Sequence, residues 1–231
     1  MDNLIDLLVA IDKALRSADV EATFVGGAIT PLLLDAIGAA AARSTRDVDC
    51  IVETATHAEQ ADLEARLEQH GFAHCLDEDA PICRWTLEVN GRSVLVDVMP
   101  ANPTPYGFSN PFFPGAVTTA ETLPGTTVRL VRPAYALATK IAAWQSRGGR
   151  DLYRSADFED IIALFDGCPR LEDDMSILTS AARALIATEI AGWFRMQGWD
   201  DVVASSLPQP ASRDRLDRCI GGLKAVAAWI A

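Results

Sequence analysis

The chain has 231 residues, 49% of them apolar and 23% charged, and a formal net charge of −12. That composition can bury one or two ordinary cores and excludes an intrinsically disordered chain, while the acidic balance opposes non-specific attraction to a nucleic-acid backbone, which depends on Lys and Arg displacing counterions. No apolar run approaches the length of a membrane span, and residues 1–15 carry Asp2, Asp6 and Asp12 where a signal peptide would be basic and then apolar, so a cytoplasmic protein with no membrane partner is expected.

The five cysteines (Cys50, Cys75, Cys83, Cys168, Cys219) are odd in number and never two residues apart, which indicates neither a disulfide framework nor a zinc ribbon. The spacing of His70, His74, Cys75 and Cys83 fits no common zinc template.

In chain order, Leu4, Ile5, Leu7, Leu8, Ile11 and Leu15 recur at three- and four-residue steps and predict a first helix. Thr23, Phe24 and Val25 form a short strand that ends at Gly26-Gly27, and residues 29–37 read as a helix with Pro31 in its first turn. The run 48–52 is a second strand. Alternation puts Asp47 and Asp49 on one face of it and Val48 on the other. Thr56 with Glu59 is a capping box opening a helix that stops at His70-Gly71. Residues 83–89 and 92–99 flank Asn90-Gly91, the dipeptide best suited to a two-residue hairpin, and the second of these strands places Asp97 among apolar neighbours.

Residues 100–133 are rich in Pro, Gly, Thr and Asn and read as a connection with little regular structure. Beyond it, 134–144, 157–165, 175–196 and 213–230 show helical periodicity, broken at Gly148-Gly149 and Gly167-Cys168-Pro169. The expected organisation is a sheet-bearing domain over residues 1–132 and a helical lobe over 133–231. Trp85, Trp144, Trp193, Trp199 and Trp229 form no spaced ladder for stacking bases and are expected in the core or packing the lobe. Phe108 and Phe112-Phe113, in the connection, either line a nucleotide pocket or pack between the two lobes.

Asp47, Asp49 and Asp97 together pose the chemical question. Clustered carboxylates raise one another's pKa and destabilise a fold unless a cation neutralises them, so the three imply either a metal or a protonated member, and hard oxygen donors suit Mg²⁺ or Mn²⁺. Two such ions are the usual apparatus of nucleotidyl transfer, one at the attacking oxygen and one at the leaving pyrophosphate. Gly26 and Gly27, at a helix start and unshielded by Cβ, can present backbone N–H groups to a triphosphate. Asp97 by itself can also be read as half of a structural ion pair with an arginine such as Arg84. The basic residues Arg43, Arg46, Arg84, Arg92, Lys140, Arg147, Arg150 and Arg154 would, if they converge, favour a phosphate-bearing ligand.

The series Phe24-Val25-Gly26-Gly27, Thr45-Arg46-Asp47-Val48-Asp49 and Val96-Asp97-Val98-Met99-Pro100 resembles the signature of the DNA polymerase beta-like nucleotidyltransferase superfamily. Gly107-Phe108-Ser109-Asn110, Leu137-Ala138-Thr139-Lys140 and Ser155-Ala156-Asp157-Phe158-Glu159-Asp160-Ile161 further resemble bacterial and archaeal members related to abortive-infection and toxin-antitoxin nucleotidyltransferases. The resemblance covers most of residues 20–168.

It implies an α+β fold in which a mixed core sheet carries the three acids, flanked by helices and joined to a C-terminal helical lobe. It also implies an enzyme that transfers a nucleoside monophosphate from an NTP to an acceptor. Asp47 and Asp49 would hold both ions, with Asp97 joining one and serving as base, while Gly26, Gly27 and Lys140 hold the triphosphate, helped by Arg46 or Arg147. An acid at Asp157 or Asp160 would complete the site.

The chain departs from the pattern at Ala28, where the family has Ser or Thr, which weakens the phosphate site without abolishing it, unless Thr30 supplies that hydroxyl. It also carries an alanine-rich insert around residues 39–42. The acceptor is open between RNA, a protein hydroxyl and a small molecule. A toxin that modifies transfer RNA and is held by an antitoxin shares the same core, and a non-catalytic nucleotide-binding module is a further alternative.

Overall fold

A computed structural model of the chain describes residues 2–230 apart from 44, 55, 104–105, 108–109 and 148–151. It divides into two compact units, one comprising Met1–Ile29 and Ser44–Arg132, the other Thr30–Arg43 and Pro133–Ala231. Among the described residues no helix is long and apolar enough to cross a membrane.

The first unit opens with α1 (Asp2–Ser17) and β1 (Ala22–Val25), after which α2 (Gly26–Leu33) leads the chain into α3 (Ala36–Ala41) of the second unit. The first unit resumes with β2 (Asp47–Val52), α4 (His57–Gln69), β3 (Phe72–His74), β4 (Arg84–Val89), β5 (Arg92–Pro100), α5 (Phe113–Thr119), β6 (Glu121–Thr122) and β7 (Arg129–Leu130). The strands form one mixed sheet in the order β3-β4-β5-β2-β1-β7-β6, parallel at β5–β2 and β1–β7 and antiparallel elsewhere.

One face carries Val48, Cys50, Val52, Val96, Val98 and Trp85, all buried, with α1 packed on β4 and α4 on β3. The expected capping box is present: Thr56 Oγ1 accepts from Glu59 N at 3.2 Å and Glu59 Oε2 from Thr56 N at 3.0 Å. The hairpin turns at Asn90 (φ 52°) and Gly91 (φ 75°), the left-handed pair that matches strand twist.

The second unit contains α3 and α6 (Pro133–Ser146), α7 (Ala156–Gly167), α8 (Leu171–Asp174), α9 (Ser180–Trp193), α10 (Trp199–Ser206) and α11 (Arg213–Ala227). Its core is aromatic. The ring of Phe158 lies 5.3 Å from Trp193 and 5.9 Å from Trp199, and Trp144 meets Trp193 edge-on at 6.3 Å. Two of the three core indoles share one carboxylate, since Glu189 Oε1 accepts from Trp144 Nε1 at 3.0 Å and from Trp193 Nε1 at 3.2 Å, while the buried Trp199 Nε1 has no hydrogen-bond partner among the described residues. Four of the tryptophans are buried as expected, while Trp229 is 41% exposed.

Three expected elements are corrected. The helix expected over 29–37 starts at Gly26, which puts Pro31 inside rather than in the first turn. It ends at Leu33, and Asp35 recaps the chain by accepting from Gly38 N at 2.7 Å to start α3. The alanine-rich insert is therefore largely helical, and Gly38 and Gly167 let α3 approach α7, a Cβ on Gly167 lying only 3.4 Å from Gly38 Cα.

The connection 100–133 contains a helix and two strands. Pro114 sits in the first turn of α5, where its missing N–H costs nothing, and Arg129–Leu130 pairs with β1. The stretch 175–196 starts with a 3₁₀ turn, Met175–Ile177, before Thr179 caps α9. The break expected at Gly148-Gly149 lies outside the described residues.

Trp193→Ala is expected to cost about 3–5 kcal/mol, because it opens a cavity and orphans a carboxylate contact, whereas Thr56→Ala costs about 1 kcal/mol through its cap. Urea denaturation of the two variants checks this, and equal losses would contradict it.

Candidate active site

Strand register alone brings the acids together. Asp49 on β2 is the Cα partner of Asp97 on β5, Asp97 is the partner of Arg84 on β4, and Asp49 is the partner of Val25 on β1. Paired residues point to the same face, so Arg84, Asp97 and Asp49 form a row across three strands. Asp47 lies two residues before Asp49 and shares that face.

Arg84 closes the row at one side. Its Nε donates to Asp97 Oδ1 and its Nη2 to Asp97 Oδ2, both at 2.8 Å, and Nη2 also donates to Asp47 Oδ2 at 2.5 Å. Asp97 is 6% exposed. Bonding to Asp97 holds the guanidinium above its ordinary value against the opposing effect of burial, with Asp47 and Asp49 adding attraction. The neighbouring Cys83 thiol is pushed up to about 12, by burial first and then by Asp97, and the buried Cys50 thiol is also raised, so both stay neutral beside the acids.

The other side of the row is a glycine corner. Gly26 follows β1 directly at φ 78°, a conformation that L side chains adopt at a cost of roughly 1–2 kcal/mol. A Cβ there would lie 1.9 Å from Asp49 Oδ2. Gly26 is thus required twice, by its backbone angle and by the carboxylate against it. Gly27 is buried as the second residue of α2.

The structure brings Asp47, Asp49, Asp97 and Gly26 together within the first unit. Arg46 is exposed on the residue before β2. Lys140 and Asp157 belong to the second unit, where they sit in an ion-pair network. Lys140 Nζ lies 2.6 Å from Asp160 Oδ2 and 3.4 Å from Asp157 Oδ1, and Arg147 pairs with Asp157. Arg43 donates to both oxygens of Asp160, at 3.1 and 3.0 Å.

The basic residues divide between the two units. Arg84 serves the acids of the sheet, Arg43, Lys140 and Arg147 serve Asp157 and Asp160, Arg92 and Arg154 are exposed, and Arg150 lies outside the described residues. Thr30 is buried and lines a cavity of about 170 Å³ in the second unit with Arg43, Asp160 and Asp166. Phe112 and Phe113 are buried, while Phe108 and Ser109 are outside the described residues.

The sequence offers Arg84 as a structural partner for Asp97 and as one of several basic residues for a phosphate-bearing ligand, but does not reveal its bond to Asp47. Among the described residues no three His, Cys, Asp or Glu side chains stand grouped as a metal site. The set nevertheless fits a cation. Its donors are hard carboxylate oxygens, a guanidinium stands in as the positive charge, and bare Gly26 leaves room for the Asp49 carboxylate, whose Oδ2 lies 1.9 Å from where a Cβ would be.

No protein-family model matches the sequence, and no curated protein matches it. Among solved structures, the chain is similar to an antigenic nucleotidyltransferase-like protein from Paracoccidioides brasiliensis, at 21% identity and a TM-score of 0.55, covering 89% of this chain and 94% of that one. It also matches JHP933 from Helicobacter pylori, at 11% identity and a TM-score of 0.49 over 98% and 90% of the two chains. A putative nucleotidyltransferase from H. pylori matches at 10% identity and a TM-score of 0.46 over 98% and 93%. The mixed α/β architecture, with its seven-stranded sheet, is thus that of a nucleotidyltransferase-like fold.

Proposed function

We propose that the chain is a metal-dependent nucleotidyltransferase that moves a nucleoside monophosphate from an NTP to an acceptor hydroxyl. The observation that supports this reading is the row of Asp49 and Asp97 on paired parallel strands, with Asp47 on the same face and a bare glycine against Asp49. A merely structural acid needs one partner, whereas three carboxylates on one face oppose folding unless a cation is shared among them.

Asp47, Asp49 and Asp97 would hold two Mg²⁺ or Mn²⁺ ions, which when bound supply positive charge at the phosphates and at the acceptor oxygen. The chain's own groups do the rest. Gly26 and Gly27 offer N–H groups to the phosphates at the start of α2, and Asp97 takes the proton from the acceptor hydroxyl, directly or through water. The acceptor oxygen bonds to the α-phosphorus, the bond to the β-phosphate oxygen breaks, and pyrophosphate leaves. Roles for Lys140, Arg46 and Asp157 in nucleotide binding rest on the sequence resemblance.

Two narrower readings share this core. An RNA-modifying toxin of the abortive-infection type is weighed against by the net charge of −12 and by basic side chains already bound to acids. A non-catalytic nucleotide-binding module is suggested by Ala28, whose missing hydroxyl removes about 1 kcal/mol of net hydrogen bonding. Pyrophosphate release separates that module from an enzyme.

Incubating the protein and cell extract with each of four labelled NTPs and Mg²⁺ is expected to label one class of acceptor, with no label after chelation. Asp49→Asn is expected to lower this transfer by about 10³-fold or more while circular dichroism is unchanged, because several kcal/mol of charge stabilisation in the transition state are removed. Undiminished transfer in that variant, or in chelator, would contradict the proposal. Gly26→Ala is expected to lose both transfer and at least about 1–2 kcal/mol of stability, since the new methyl group displaces Asp49 from a left-handed corner; a variant of native stability and activity would show that the corner is not needed.

A further inference from the structure

Arg84 engages both oxygens of Asp97 and one of Asp47 with a single guanidinium. Such a fork suits two carboxylates better than an ammonium would, because its planar donors are fixed in direction. Its place in the fold is set by register: β4 pairs with β5 so that Arg84 faces Asp97, and β5 pairs with β2 so that the acids lie within reach of one side chain. Arg84 is largely buried, its side chain 20% exposed, and Asp97 more so at 9%. A charge at such a place is tolerated only with its partners present.

The same oxygens are those proposed to bind divalent ions. A guanidinium and a divalent ion compete for these carboxylates, since both are cations drawn to the same oxygens and they repel each other at contact. A guanidinium is not deprotonated in proteins, so Arg84 cannot make way by losing its proton. It can make way only by moving.

We infer that Arg84 is a built-in cation that balances Asp47 and Asp97 in the metal-free protein and is displaced from them when a divalent ion binds, an inference that rests on the metal-dependent reading above. The guanidinium then has two consequences. It keeps three acids folded together before substrate arrives. It also weakens binding of a free ion, so that the ion binds best when it arrives with the additional oxygen donors of a nucleotide triphosphate.

Mn²⁺ binding to the full chain, followed by the electron paramagnetic resonance of free Mn²⁺, tests this without nucleotide and without an activity readout. Arg84→Gln is expected to bind Mn²⁺ at least about tenfold more tightly than the unaltered protein, because an adjacent positive charge is gone. Its melting temperature is expected to be lower in metal-free buffer and to recover more on adding Mn²⁺. Arg84→Lys keeps the charge but not the fork and should lie between the two.

If Arg84→Gln does not fold, the unaltered protein carries the test. Mg²⁺ titration is then expected to shift the Arg84 Nε–H resonance, assigned by its loss in Arg84→Lys, as the bond to Asp97 breaks. Equal or weaker Mn²⁺ affinity in Arg84→Gln, or an Nε–H resonance unmoved at saturating Mg²⁺, overturns displacement and leaves the metal-dependent reading standing. Absence of Mn²⁺ binding in the unaltered protein and in every folded Arg84 variant, even with nucleotide triphosphate added, overturns both.

Discussion

Three carboxylates on one face of two paired strands cannot be folded together without a compensating positive charge. Two unit charges about 4 Å apart at an effective dielectric of about 20 repel by about 4 kcal/mol, a large part of the roughly 5–15 kcal/mol that stabilises an ordinary domain. The sheet meets that cost with Arg84, whose guanidinium bonds to Asp97 and Asp47. Everything else about the site follows from where the sheet places this arginine and these acids.

The placement is economical in chain length. One lateral row, Arg84–Asp97–Asp49–Val25, spans four strands and ends at Gly26, where the absence of a side chain admits the Asp49 carboxylate. The opposite face of the same strands is apolar and buried, so a one-residue slip would place acids in the core and valines at the site. The hydrophobic pattern that folds the sheet therefore also fixes the chemistry of its other face. The second unit stands on a different basis, an aromatic core in which Glu189 satisfies two indoles and a separate network in which Asp157 and Asp160 balance three cations.

Much of the sheet was legible in the sequence because local rules agreed. Asn90-Gly91 fixes the turn, and counting five pairs back from Val89–Arg92 sets Arg84 opposite Asp97. The pairing could thus have been read from the hairpin itself. The bond from Arg84 to Asp47 could not, since it depends on the parallel pairing of β2 with β5, which no turn connects. The capping box at Thr56 and the alternation around Asp47 and Asp49 were local and correct. The strand at Arg129–Leu130 was hidden because two residues carry no period, and α10 because a short helix after Gly198 resembles a turn. Thr30, whose hydroxyl would stand in for the one missing at Ala28, is buried and lines a cavity of the second unit.

The most direct measurement is a crystal structure of the protein with Mn²⁺ and a non-hydrolysable NTP analogue, with the ions located by anomalous scattering. The account predicts manganese within about 2.0–2.3 Å of carboxylate oxygens of Asp49 and Asp97 or Asp47, with the Arg84 guanidinium withdrawn from them. Manganese bound elsewhere, with Arg84 still bridging Asp47 and Asp97 beside bound nucleotide, would contradict it.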